Sequence, residues 1–111
     1  MLFIFKESDN IEKIKVDKEN KEFSSSNGVL YNKNKASLLN YPLGKEDNSF
    51  EGPYSLERFE NYSFYQAKYL KKLYIPKNVK YFGFRAFAKT NIKEIYFKGV
   101  LLYFGNIFSK V

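Results

Sequence analysis

The chain has 111 residues, 44% hydrophobic and 28% charged, which suits one packed domain and argues against wholesale disorder. It has no Cys and no His, so disulfides, thiolate nucleophiles, imidazole bases and the usual zinc ligand sets are excluded. The net charge of +7 rests on Lys, with only Arg58 and Arg85 as arginines, and the 12 acids are scattered, which serves neither catalysis nor a hard-metal cage.

The chain opens on MLFIFKESDN, whose short apolar stretch lacks a preceding cation and a following small-residue cleavage site, so it does not read as a signal peptide. No apolar run approaches the ~20 residues of a bilayer span, and no membrane insertion is expected. A cytoplasmic location follows on this reading, or a cell-surface one if the chain is part of a larger exported protein. A first strand is expected through Ile11, Ile14 and Val16. Asn27-Gly28 is a turn signal ahead of the apolar run Val29, Leu30 and Tyr31. Asn32 to Lys35 is a polar turn, and Ser37 to Tyr41 a returning strand closed by Pro42. Residues 27–42 are therefore expected as a β-hairpin insert that projects from the main body or lies beside it, followed by a mobile loop over 44–49.

An internal repeat follows. LKKLYIPKNVKYFGFRAF at residues 70–87 lies above IKEIYFKGVLLYFGNIF at 92–108. Leu70, Leu73 and Ile75 fall on Ile92, Ile95 and Phe97, and Val79, Phe82 and Phe87 fall on Val100, Tyr103 and Phe108. Phe5, Ile11, Ile14 and Val16 keep the spacing of Phe64, Leu70, Leu73 and Ile75, and a degenerate copy runs through Phe50, Pro53, Leu56, Phe59 and Phe64. L-x-x-L-x-I reads as a short strand with alternate residues facing the core, ended at Pro76 by the loss of a ladder donor. The V-x-x-F and the aromatic after it supply the opposite wall. One such unit cannot bury its own apolar face, so neighbours stack into a solenoid, and Phe5, Phe59, Phe64, Phe82, Phe87 and Phe108 are expected as core ladder residues.

The pattern LxxLxIPxxVxxFGxxAF resembles the leucine-rich repeats of the BspA type. Residues 20–45, NKEFSSSNGVLYNKNKASLLNYPLGK, also resemble a segment that such proteins often carry, with Asn27-Gly28 in place of Asp-Gly and Asn34 in place of a turn Asp. The expected fold is a single domain over 1–111 of α+β, β-rich class. It is a leucine-rich-repeat solenoid of about three to four repeats with short parallel strands, plus the hairpin insert. The resemblance implies a non-catalytic protein-binding module, since BspA-type proteins are implicated in adhesion and in binding host matrix proteins.

Function then belongs to exposed positions. Strand parity turns Lys13 and Lys15, Ser49 and Glu51, Lys72 and Tyr74, and Glu94 and Tyr96 outward on one face, with Lys98 just past the last strand. The candidate partner-binding residues are Lys13, Lys15, Lys72, Tyr74, Glu94, Tyr96 and Lys98, and Tyr74 and Tyr96 are expected side by side. No catalytic, metal or cofactor set is expected. Two alternatives stand beside the protein-binding reading: a small phage or mobile-element inhibitor of the anti-CRISPR kind, docking on a nucleoprotein, and a weak nucleic-acid binder using Lys and Tyr. Leu2, Phe3 and Ile4 at one end, and 100–104 at the other, are apolar edges expected to favour self-association. Asn61-Tyr62-Ser63 is a sequon beside a core position and reads as chance.

Overall fold

The computed structural model describes residues 11–99. Phe5, Tyr103 and Phe108, and the apolar edges at 2–4 and 100–104, lie outside the described residues. Eight strands follow in chain order: β1 (Phe23–Ser26), β2 (Val29–Asn32), β3 (Ser37–Asn40), β4 (Ser49–Glu51), β5 (Arg58–Phe59), β6 (Lys72–Ile75), β7 (Tyr81–Phe82) and β8 (Glu94–Phe97). Two sheets result. One has the order β1-β2-β3-β5-β7, and the other the order β4-β6-β8.

The left-handed backbone of Asn27 (φ 52°) and Gly28 (φ 83°) forms the tight turn that sets Ser26 opposite Val29 and folds β1 antiparallel onto β2. A Cβ on Gly28 would lie 2.8 Å from the Lys13 Cβ, so no larger residue fits there. Asn32 and Asn34 accept hydrogen bonds at their side-chain oxygens from the Ser37 and Ala36 amides, shaping the turn into β3. β2 and β3 are antiparallel, and β3 runs parallel to β5 as β5 does to β7, so this sheet is mixed. The segment 27–42 is thus continuous with one wall of the repeats.

In the second sheet all pairing is parallel, with Phe50, Leu73 and Ile95 in one row. Leu70, Leu73 and Ile75 are buried, as the alternation requires, and Pro76 follows the last strand residue of β6. Phe64 sits between the sheets, its ring stacked at 4.7 Å on Tyr41 and within 5.6 Å of Phe50, Phe59 and Phe87. Phe59, Phe64 and Phe87 are buried, whereas Phe82 is half-buried against them.

Three expectations are corrected. The α component of the expected fold class is absent from the described residues, which form strands and turns without a helix. The return limbs at 60–69 and 83–91 bond to each other across coils, Tyr62 to Phe84, Phe64 to Ala86 and Gln66 to Ala88. Positive φ at Tyr62, Gln66, Arg85 and Lys89 interrupts any helical run. The expected strand through Ile11, Ile14 and Val16 does not form. There the Ile14 amide donates to the Gly28 carbonyl and the Val16 amide to the Ser25 hydroxyl, tying this segment to β1 and its turn. The loop expected over 44–49 is shorter: Gly44 and Lys45 are buried, with the Gly44 amide donating to the Ile11 carbonyl, Ser49 belongs to β4, and 46–48 remain exposed outside any strand.

Candidate partner-binding face

The parallel ladder β4-β6-β8 fixes which outward side chains meet. Ser49, Lys72 and Glu94 form one row, and Glu51, Tyr74 and Tyr96 the next. Parallel strands lie about 4.8 Å apart, and the Tyr74 and Tyr96 rings stack at that spacing, 4.8 Å between centroids with planes 11° apart. Tyr74 is half-buried by the stack, while Tyr96 remains 44% exposed.

Charged groups frame the pair. The Tyr96 hydroxyl donates to the Glu94 carboxylate, and this hydrogen bond, with the negative charge beside it, raises the phenol above its ordinary pKa. Lys98 pairs with Glu51, bridging from just past β8 to β4 over the intervening strand. Lys72 stands opposite Glu94 in register. Two tyrosine rings are thus held between groups of opposite and balanced charge, which offers a flat, amphipathic contact surface and no acid–base or nucleophilic constellation.

Of the seven candidate residues, the structure brings together Lys72, Tyr74, Glu94, Tyr96 and Lys98. Lys13 and Lys15 lie off the ladder, in the segment packed on the Asn27-Gly28 turn, where they line an open cleft of about 460 Å³ with Lys45 and Asp47. Glu51 gains a role through Lys98 that alternation alone does not assign. Sequence reading also missed a set of cation–aromatic contacts on the other wall. Arg58 lies 4.0 Å from the Tyr81 ring, Arg85 4.6 Å from Phe84, Lys68 5.6 Å from Tyr69 and Lys89 5.7 Å from Tyr65. The register Arg58↔Tyr81 across β5 and β7 follows from the repeat offset, a signal present in the sequence. Among the described residues no group of three or more acidic, His or Cys side chains could hold a metal ion, and no helix is long and apolar enough to cross a membrane.

Residues 45–110 match a protein family described as BspA type leucine rich repeat region (6 copies). Among solved structures, the chain is similar to the pneumococcal vaccine antigen PcpA, at 35% identity and a TM-score of 0.74, over 77% of this chain and 21% of that one. It is similar to a leucine-rich repeat protein from Eubacterium ventriosum at 29% identity and a TM-score of 0.65, over 85% of this chain and 32% of that one. A leucine rich cell surface protein from Faecalibacterium prausnitzii is similar at 28% identity and a TM-score of 0.66, over 71% of this chain and 22% of that one. The chain thus spans between 21% and 32% of the length of these proteins. No curated protein matches it significantly.

Proposed function

This chain belongs to the BspA-type leucine-rich repeat family, and from that premise we propose that it is a non-catalytic protein-binding module whose partner docks on the β4-β6-β8 face. The observation that carries this reading is the exposed Tyr74–Tyr96 stack. Tyrosine buries a large area at low entropy cost and keeps a polar tip. Here the stack and the Tyr96–Glu94 hydrogen bond order the rings before any partner arrives, which lowers the cost of binding. The balance of Lys98 with Glu51, and of Lys72 with Glu94, favours a protein surface over a polyanion at this face. Lys72, Tyr74, Glu94, Tyr96 and Lys98 form the proposed contact set. The likeness to a vaccine antigen and to a cell surface protein supports a place for the module within a longer protein displayed at a cell surface.

The test is capture on the immobilised chain from extracts with and without nuclease treatment, at physiological salt, with a photo-crosslinker placed at the exposed position 49 beside Lys72. Changing Tyr74 and Tyr96 together to Ser is expected to weaken capture about tenfold or more, as loss of a central aromatic pair does. Tyr54→Ser, at a tyrosine 73% exposed in the turn after β4, is expected to leave capture unchanged. Capture indifferent to the double change, or dependent on intact nucleic acid, would overturn the reading.

A further inference from the structure

Residues 61–93 hold eight Lys or Arg and no Asp or Glu. Among the described residues none of those eight joins an ion pair. The pairs present are Lys45–Asp47, Arg58–Glu60 and Lys98–Glu51. On the two return limbs the cations rest on aromatic rings instead, Lys68 on Tyr69, Arg85 on Phe84 and Lys89 on Tyr65. Tyr69 and Phe84 are 38% and 44% exposed, so these contacts form a surface. Arg85 is half-buried, and its Nε has no hydrogen-bond partner among the described residues.

The limbs are tied side by side. The Gln66 amide donates to the Ala88 carbonyl, and the Asn91 side-chain amide to the Lys68 carbonyl. Lys68 and Lys89 thus come from neighbouring coils, and with Gln66 and the buried Leu43 they line a recess of about 200 Å³. Like charges held at the spacing of adjacent coils repel, and a bound anion relieves that repulsion.

We propose that this return-limb wall binds an acidic polysaccharide, bearing uronate or sulfate groups, with one sugar ring seated in the recess between Lys68 and Lys89. The lining matches a charged pyranose part by part. Leu43, almost wholly buried, closes the floor of the recess, Gln66 offers an amide to the hydroxyls, and the two ammonium groups a counter-charge to the acid. A nucleobase calls for an aromatic plate to stack on; the recess lining of Leu43, Gln66, Lys68 and Lys89 holds none, and Lys68 lies over the neighbouring Tyr69 ring. Bidentate phosphate recognition calls for Arg forks, and both cations at the recess are Lys. Lysine, a point charge on a flexible stem, tolerates the variable anion spacing of a polysaccharide. The surface is separate from the Tyr74–Tyr96 face, so the two proposals stand or fall independently.

Affinity electrophoresis of the chain through gels containing polygalacturonate, heparin or neutral dextran tests the proposal, with poly(dT) and polyglutamate as competitors. Retardation by the two acidic polysaccharides and not by dextran is expected at physiological salt. Changing Lys68 and Lys89 together to Gln is expected to weaken it about tenfold or more, the loss of two charge-assisted contacts. The pair Lys77→Gln and Lys80→Gln removes the same charge elsewhere and is expected to leave binding within about twofold. Lys68→Arg with Lys89→Arg keeps the charge and is expected to retain most of the binding, which separates lost contacts from a lost fold. Equal weakening by both Gln pairs would reduce the effect to net charge and overturn the proposal. So would retardation by dextran, stronger competition by poly(dT) or polyglutamate than by free polygalacturonate, or no retardation at all.

Discussion

Tyr41 carries the clearest single-residue conflict in the core. Its ring stacks on Phe64 at 4.7 Å and meets Phe50 edge-on at 5.5 Å, yet its hydroxyl is buried with no partner among the described residues. A buried polar group without a hydrogen bond costs about 1–3 kcal/mol, so Tyr41→Phe, which keeps the ring, is expected to raise stability by about 1 kcal/mol. A higher Tm by several degrees at neutral pH would check it, and a lower one would mean that the hydroxyl is bonded after all. Burial also pushes the Tyr31 and Tyr41 phenols well above their ordinary value of 10.0, with the Asp47 charge adding at Tyr41. A folded pKa raised above the unfolded one gives stability that is complete below the unfolded pKa and lost as pH rises through the folded one. Stability is therefore expected to decline above about pH 10, and denaturation titrations on Tyr41→Phe should show a shallower decline. Side chains like these expose what was legible at the residue scale. Tyr74 and Tyr96 alternate with the buried Leu73 and the half-buried Ile95, and parity alone put them on one face. Parity failed for Lys13 and Lys15 because it presupposes a strand, and tertiary hydrogen bonds decide that segment. The wall around Lys68 and Lys89 follows no simple period, since left-handed backbone at Gln66 and Lys89 sets where those side chains project.

At the scale of the element, coil must lie on coil with no room to spare. Gly83 marks the closest approach. A Cβ there would sit 2.3 Å from the Asn61 amide nitrogen and 2.5 Å from the Glu60 carbonyl carbon, both backbone atoms of the neighbouring coil. Backbone cannot swing aside, and the local bonds leave no slack, with the Gly83 amide on the Phe59 carbonyl at 2.7 Å and the Phe84 amide on the Asn61 side-chain oxygen at 2.7 Å. Gly83→Ala is expected to cost about 3 kcal/mol, the upper range for overpacking. At Gly52 the same substitution meets the Leu56 Cδ2 at 2.6 Å, the far end of a side chain and not backbone, so Gly52→Ala is expected to cost about 1 kcal/mol, the lower end for overpacking. Chemical denaturation of both variants checks the contrast, and equal costs would refute it. The repeating strands β6 and β8 were readable because apolar alternation marks each and Pro76 ends the first. β1 was not, since Phe-Ser-Ser-Ser has no apolar alternation and becomes a strand only when the Asn27-Gly28 turn lays it on β2. β5 and β7 are two residues each, too short to carry a period, and exist through their parallel partners.

Across the whole molecule, the order of strands makes the two sheets inseparable. From β3 onward the chain alternates, β3, β5 and β7 in one sheet and β4, β6 and β8 in the other. Neither sheet can gain its next strand until the chain has passed through its neighbour. Strands of two to four residues have little stability of their own, so the shared aromatic core, with Phe64 touching Tyr41, Phe50, Phe59 and Phe87, is what holds both. Phe64→Ala is expected to remove about 3–5 kcal/mol, a large part of the 5–15 kcal/mol typical of a domain this size. The distribution of that loss is the sharper test. Native-state hydrogen exchange can follow the Gly83 amide, bonded to Phe59 beside β7, and the Lys72 amide, bonded to Asn48 at the start of β6. If the core couples the sheets into one cooperative unit, both amides lose protection by the same free energy in Phe64→Ala. Loss confined to one amide would mean that the sheets open separately and that the alternation of strands does not bind them together.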